Sequence, residues 1–208
     1  MFKRFAAALS LALTAPATAQ VTPAPPRTDL VVLETTLGDI TLAIETERAP
    51  ITAANFLRYV DEHRLDGTVF YRAMRLAWGP QPNGLIQGGT QYDPKRLLPP
   101  IAHEPTSQTG LSHVAGAISM ARYAPGTATG DFSIMVSAQP SLDADPKGET
   151  DDARAGFAAF GHVVSGMDVV LKIFAAPTDP DKGEGWMKGQ MLAVPMTIVH
   201  ARRAAKAD

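Results

Sequence analysis

The apolar residues of this chain fall in many short runs of strand character, and only two stretches, far apart, repeat at helical spacing. Residues 30–35 and 40–44 flank the turn Leu37-Gly38-Asp39 and predict a hairpin. Further strands are predicted at 68–71, 117–121, 132–136, 157–164 and 197–201. Pro50 opens the first helix, with Ala53, Phe56, Leu57 and Val60 on one face up to Asp61. A second, short helix covers 167–174 after Ser165-Gly166. Residues 76–84 and the acidic stretch 140–155 read as loops. Alternating βαβ units would need a helix between most strands, so this pattern argues for a mainly β, closed structure capped by two helices.

The 208 residues suit one domain, and no internal repeat or second domain is evident. With no cysteine, disulfides, thiolate metal sites and cysteine nucleophiles are excluded. Residues 1–19 begin with Lys3 and Arg4, continue in an apolar run too short to span a bilayer, and end in Ala17-Thr18-Ala19. These features predict a secretory signal cleaved near Ala19-Gln20 and a periplasmic or secreted product. Residues 20–29, rich in Pro and small side chains, read as a flexible linker, 30–203 as the folded domain and 204–208 as a frayed tail. Losing Lys3 and Arg4 takes the formal charge from −2 to −4. A weakly acidic chain with few aromatics is not expected to bind nucleic acid, and no later run predicts a membrane span.

Several chemistries lack their residues. There is no glycine-rich phosphate loop, no His-Glu-x-x-His and no Gly-x-Ser-x-Gly elbow. The histidines are scattered without a ligand-like pair, so no metal site and no cofactor are expected. Asp143-Ala144-Asp145 begins like a calcium loop, but Lys147 and Arg154 occupy positions that need oxygen ligands, so it reads as a solvated acidic loop.

A series of segments, in order and at compatible spacing, resembles the cyclophilins, a family of peptidyl-prolyl cis-trans isomerases, in a bacterial secreted form. They are the hairpin around Gly38; Ala49-Pro50 with Ala54-Asn55-Phe56; Thr68-Val69-Phe70-Tyr71-Arg72, similar to TxFHR; and Gln87-Gly88-Gly89, similar to QGGD. Gly116 to Arg122 is similar to GxxSMAR, and Phe160 to Val170 to FGxVxxGMDVV. The resemblance implies an eight-stranded antiparallel barrel with a helix over each end. It implies that Arg72 is the catalytic arginine and that Gln87 binds the substrate backbone or orients Arg72. It also implies that Leu85, Ala121, Arg122 and Leu142 border a groove for Xaa-Pro segments, and that Asn55 is structural.

The departures from the family pattern gather in that groove. Where the family writes SQFFI, this chain has Gly130-Asp131-Phe132-Ser133-Ile134. Alternation along a strand puts Asp131, Ser133 and Met135 on one face and Phe132 and Ile134 on the other. Ser133 therefore stands where the family keeps the aromatic floor of the proline pocket. Gly84-Leu85 stands at Phe-Met, and Ser141 at another aromatic position. Phe157 across the groove, or Trp78 folding down from the lengthened loop 74–86, could replace the lost rings, and Asp131 could pair with Arg72. The reading is an isomerase assisting the folding of exported proteins, acting as a monomer. The alternative is a weakly catalytic or non-catalytic peptide-binding module with chaperone character.

Overall fold

The computed structural model describes residues 26–204, so the signal segment and all but the first residue of the tail lie outside the described residues. Eight strands form it: β1 (Asp29–Thr35), β2 (Gly38–Ile44), β3 (Val69–Arg75), β4 (Gly84–Gly89), β5 (Ala117–Met120), β6 (Phe132–Met135), β7 (Ala159–Ser165) and β8 (Met191–Arg203). They close, all antiparallel, in the order β1-β2-β7-β5-β6-β4-β3-β8. Closure removes the exposed strand edges that would otherwise seek another chain.

Helix α1 (Pro50–Asp61) packs on β7 and β8. Ala49, which precedes it, offers no side-chain cap; the buried Glu104, far along the chain, accepts instead from the amides of Ile51 (3.1 Å) and Thr52 (2.6 Å). Two short helices follow, α2 (Thr106–Thr109) and α3 (Asp151–Ala155). Helix α4 (Met167–Ala175) packs on β2, β3 and β4. It starts from Gly166 at φ 89°, where a Cβ would stand 2.2 Å from the Asp39 carbonyl oxygen, so only glycine lets the helix begin this close to the hairpin. None of the described helices is long and apolar enough to cross a membrane.

The barrel interior is one apolar cluster. Phe56, Phe70, Phe132 and Phe160 meet at its centre, joined by Val31, Leu33 and Ile40 from the hairpin and Val170 and Ile173 from α4. Phe132 and Ile134 lie in this core while Met135 faces the opposite side, as strand alternation requires. The structure differs from the sequence reading in several elements. β4 is a full strand, although Gly-Leu-Ile-Gln-Gly-Gly carries little β propensity; burial of all six residues between β3 and β6 overrides it. β8 begins at Met191 rather than 197, and the stretch 140–155 contains a 3₁₀ turn (Pro140–Leu142) and α3. At the N-terminal boundary, Asp29 already pairs in β1, and Arg27 donates its N–H to Glu47 at 2.9 Å.

Candidate functional site: a cleft across five strands

The outward face of the barrel carries one transverse row of polar side chains. Strand register places Met191 (β8) opposite Arg72 (β3), Arg72 opposite Gln87 (β4), Gln87 opposite Ser133 (β6) and Ser133 opposite Ser119 (β5). A cleft of about 360 Å³ runs along this row. One side is apolar: Leu85, Met135 and Ala117 pack together, with Met74 and Leu142 against them. The other side holds Asp131, Tyr71 and Tyr92.

Arg72 is a buried charge in this row. Its residue is only 4% exposed, and three of its five N–H groups are spent on two glutamines. Nη1 donates to Gln87 Oε1 at 2.6 Å; Nε and Nη2 both donate to Gln190 Oε1, at 2.9 and 2.7 Å. Gln190 is in turn anchored by its Nε2, which donates to the Trp186 carbonyl at 2.8 Å. The Trp186 ring lies against the guanidinium, 4.5 Å from the ring centroid to Cζ. Burial pulls the Arg72 pKa down to about 10, so the group stays protonated around neutral pH. Two N–H groups remain without a partner among these residues. The glutamines neutralise no charge, so the cation keeps its full field in a partly dehydrated site.

Behind Ser119 lies a buried relay. His113 Nε2 sits 2.8 Å from Ser119 Oγ, and His113 Nδ1 sits 2.6 Å from Asp143 Oδ1, which also accepts from the His113 amide at 2.9 Å. Burial lowers the His113 pKa, favouring the neutral ring. The geometry assigns its proton to Nδ1, facing Asp143, so Nε2 accepts from the Ser119 hydroxyl. The order Asp–His–Ser is that of a nucleophilic triad, but Ser119 lies on a strand paired on both sides. The next amides, Met120 and Ala121, already donate to Ala158 and Asp131, so they offer nothing to a developing oxyanion. The relay ties the Asp143 loop to the cleft wall and aims Ser119.

At the far end, Asp131 accepts from the Gln91 amide at 2.8 Å and meets the hydroxyls of Thr90 and Tyr71 at 3.4 Å each. Gly89, at φ 127°, makes this seat possible: a Cβ there would stand 2.4 Å from the Gly130 carbonyl. Arg122 is held by the Gly156 carbonyl and Asp152, with its guanidinium 4.5 Å from the Phe157 ring centroid.

The cleft thus brings together Arg72, Gln87, Leu85, Ala121, Arg122, Asp131, Ser133, Leu142 and Phe157. Trp78 is corrected: it is 65% exposed on the 76–83 loop and does not line the cleft. That loop closes on itself, with Leu76 donating to the Asn83 carbonyl at 2.9 Å and Asn83 Nδ2 to the Trp78 carbonyl at 2.6 Å. The expected Asp131–Arg72 pair is also corrected: Arg72 is engaged by Gln87 and Gln190 instead. Phe157 borders the cleft, but one face of its ring is taken by Arg122. Sequence reasoning misses Trp186, Met187 and Gln190, from the Gly-rich segment before β8, and Met191, the first residue of β8. The signal available there is a lone Trp in a polar loop. It also misses Tyr92 and Tyr123, whose rings lie 5.2 Å apart.

Barrel and cleft together define a closed antiparallel β-barrel protein with a framed arginine in a peptide-sized groove. The chain belongs to the cyclophilin family: the family model for cyclophilin type peptidyl-prolyl cis-trans isomerase/CLD matches residues 30–201. Relatives named as peptidyl-prolyl cis-trans isomerases occur in Acinetobacter baylyi, 39% identical over 72% of this chain and 73% of the relative, and in Dickeya dadantii (isomerase A), 35% identical over 86% and 88%. Isomerase B of Escherichia coli is 34% identical over 72% of this chain and 86% of its own. A solved cyclophilin type isomerase from Cryptosporidium parvum shares the fold, with TM-score 0.66 at 19% identity, covering 87% of this chain and all of that one. The same protein has been solved in the presence of the dipeptide Ala-Pro.

Proposed function

We propose that this chain catalyses cis-trans isomerisation of Xaa-Pro bonds in exported polypeptides, with Arg72 stabilising the twisted amide. The barrier of roughly 18–20 kcal/mol comes from amide resonance, so no bond needs to be attacked. As the amide twists, its nitrogen regains a lone pair and becomes an acceptor. A fixed guanidinium with two uncommitted N–H groups favours that geometry over either planar form. The observation that carries this reading is the double-glutamine frame of Arg72. A guanidinium held by Gln87 and Gln190 is set in place before substrate arrives, and its charge is not cancelled by a carboxylate. Leu85, Leu142 and Met135 would hold the proline side of the segment, while Ala121 and Arg122, just past the end of β5, would border its backbone.

The polar floor favours a second reading. Ser133 supplies no ring to the proline pocket, which suits a module that holds extended segments with slow turnover. Proline exchange in short Xaa-Pro peptides, followed by NMR, decides between them. The protein is expected to accelerate an exchange that alone takes tens to hundreds of seconds. Peptide binding with unaltered exchange would leave only the binding module.

We further propose periplasmic residence, on the strength of the basic start, short apolar run and Ala-x-Ala at 17–19. N-terminal sequencing of the protein from a periplasmic extract is expected to begin at Gln20. A cytosolic product retaining Lys3 and Arg4 would refute the assignment.

A further inference from the structure

Asp131 is 1% exposed, lines the cleft and forms no ion pair among the described residues. Its closest hydrogen bond is accepted from the Gln91 amide at 2.8 Å, the Thr90 amide also acts on it, and the two hydroxyls that reach it are at the long limit of 3.4 Å. A carboxylate buried beside an open cleft without a cation is costly, and chains rarely keep such a group without a use for it. The backbone is also bent to reach it: Gln91 and Tyr92 stand at φ 50° and 57°, a region non-glycine residues seldom occupy. That conformation points the Gln91 amide at the carboxylate and sets Tyr92 against Tyr123. The mechanism above uses none of these groups. Tyr123 is 72% exposed, so an aromatic pair stands open at the mouth above a buried anion.

We propose that this end of the cleft receives the cationic side chain, Lys or Arg, of the polypeptide segment being isomerised. The inference rests on the reading that the cleft holds a peptide, and it adds what that peptide must carry. A long aliphatic stem would lie along the Tyr92 and Tyr123 rings while the charged head reaches Asp131, combining cation–π attraction with a charge-assisted hydrogen bond. Burial holds the Asp131 carboxyl above its usual pKa, and an arriving cation would relieve that penalty. Neither cation of the cleft lining takes the place: Arg122 is committed to the Gly156 carbonyl and Asp152, and Arg72 to Gln87 and Gln190. Asp131, just ahead of β6, lies two residues from Ser133, and Ser133 two strands from Arg72, a separation of roughly 12 Å. With the reach of its own side chain, the basic residue would stand within about three residues of the proline.

The test uses Ala-Pro peptides carrying Lys at each of the three positions on either side of the proline, each paired with norleucine, and the same series with Arg and citrulline. Binding and proline exchange are both measured. At one position the cation is expected to bind about tenfold more tightly than its neutral counterpart, the scale of one charge-assisted contact. In Asp131→Asn that gap should fall below about twofold, and added salt should narrow it in the wild type. Tyr123→Ala, at an exposed position outside the barrel core, should reduce the gap by about threefold. Equal binding of Lys and norleucine at every position, with exchange of the neutral peptides intact, would overturn the subsite and leave the isomerase reading standing. A gap that survives in Asp131→Asn would also overturn it. If no peptide binds or exchanges, the peptide reading fails and the subsite fails with it.

Discussion

Arg72→Ala is expected to lower kcat/KM for Xaa-Pro isomerisation by about 10²–10³-fold, the loss typical of removing one charged donor aimed at the charge that develops in a transition state. The fold should survive. Arg72 belongs to the outward row, not to the phenylalanine core, and its partners Gln87 and Gln190 would face a cleft that water can enter. Arg72→Lys is expected to recover little. An ammonium keeps the charge, but it cannot engage Gln87 on one edge and Gln190 on two nitrogens of another, nor present a flat face to Trp186. NMR exchange rates for wild type and both variants, with urea unfolding as the fold control, test this directly. Exchange by Arg72→Ala within about twofold of wild type would remove the guanidinium from the mechanism. The wild-type rate should also fall as pH rises through about 10, where the buried guanidinium gives up its proton.

Barrel and arginine are legible in the sequence for different reasons. Strand parity sets Phe132 and Ile134 on one face and Ser133 and Met135 on the other, and the family resemblance tells which face is core and which is cleft. Pro50 and the spacing of Ala53, Phe56, Leu57 and Val60 mark α1 to its last residue. Gly-rich β4 escapes notice because its strand character comes from its neighbours rather than from its own residues. The arginine stands out only through the motif around it, since an isolated Arg at a strand end looks the same as any surface cation. Its partners are harder to see. Gln190 stands 118 residues from Arg72, and nothing in the intervening pattern joins them. Trp78 and Trp186 are equally plausible from composition, and only the closure of the barrel between β3 and β8 decides which of them comes to lie on Arg72.

That same parity sets the second large effect. Phe132→Ala is expected to cost about 3–5 kcal/mol of stability, the range for emptying a buried aromatic position. The residue is fully buried and meets Phe56 and Phe70 edge-on, with centroids 5.4 and 5.8 Å away, so one truncation removes two aromatic contacts and leaves a cavity in the barrel's centre. Against the 5–15 kcal/mol typical of a whole domain, such a loss is a large fraction. For a chain of this length it corresponds to a fall in Tm of roughly 6–20 °C. The adjoining residue supplies the contrast. Ser133 is 9% exposed and its hydroxyl has no partner among the described residues, so Ser133→Ala should move Tm by no more than a surface substitution does. Thermal unfolding of the two single variants measures both. Comparable Tm losses in the pair would mean that Ser133 also carries the core and that the strand does not divide its faces between packing and binding. A large loss confined to Phe132 would locate stability and ligand contact on opposite sides of one four-residue strand. The cleft floor could then change its chemistry without cost to the barrel beneath it.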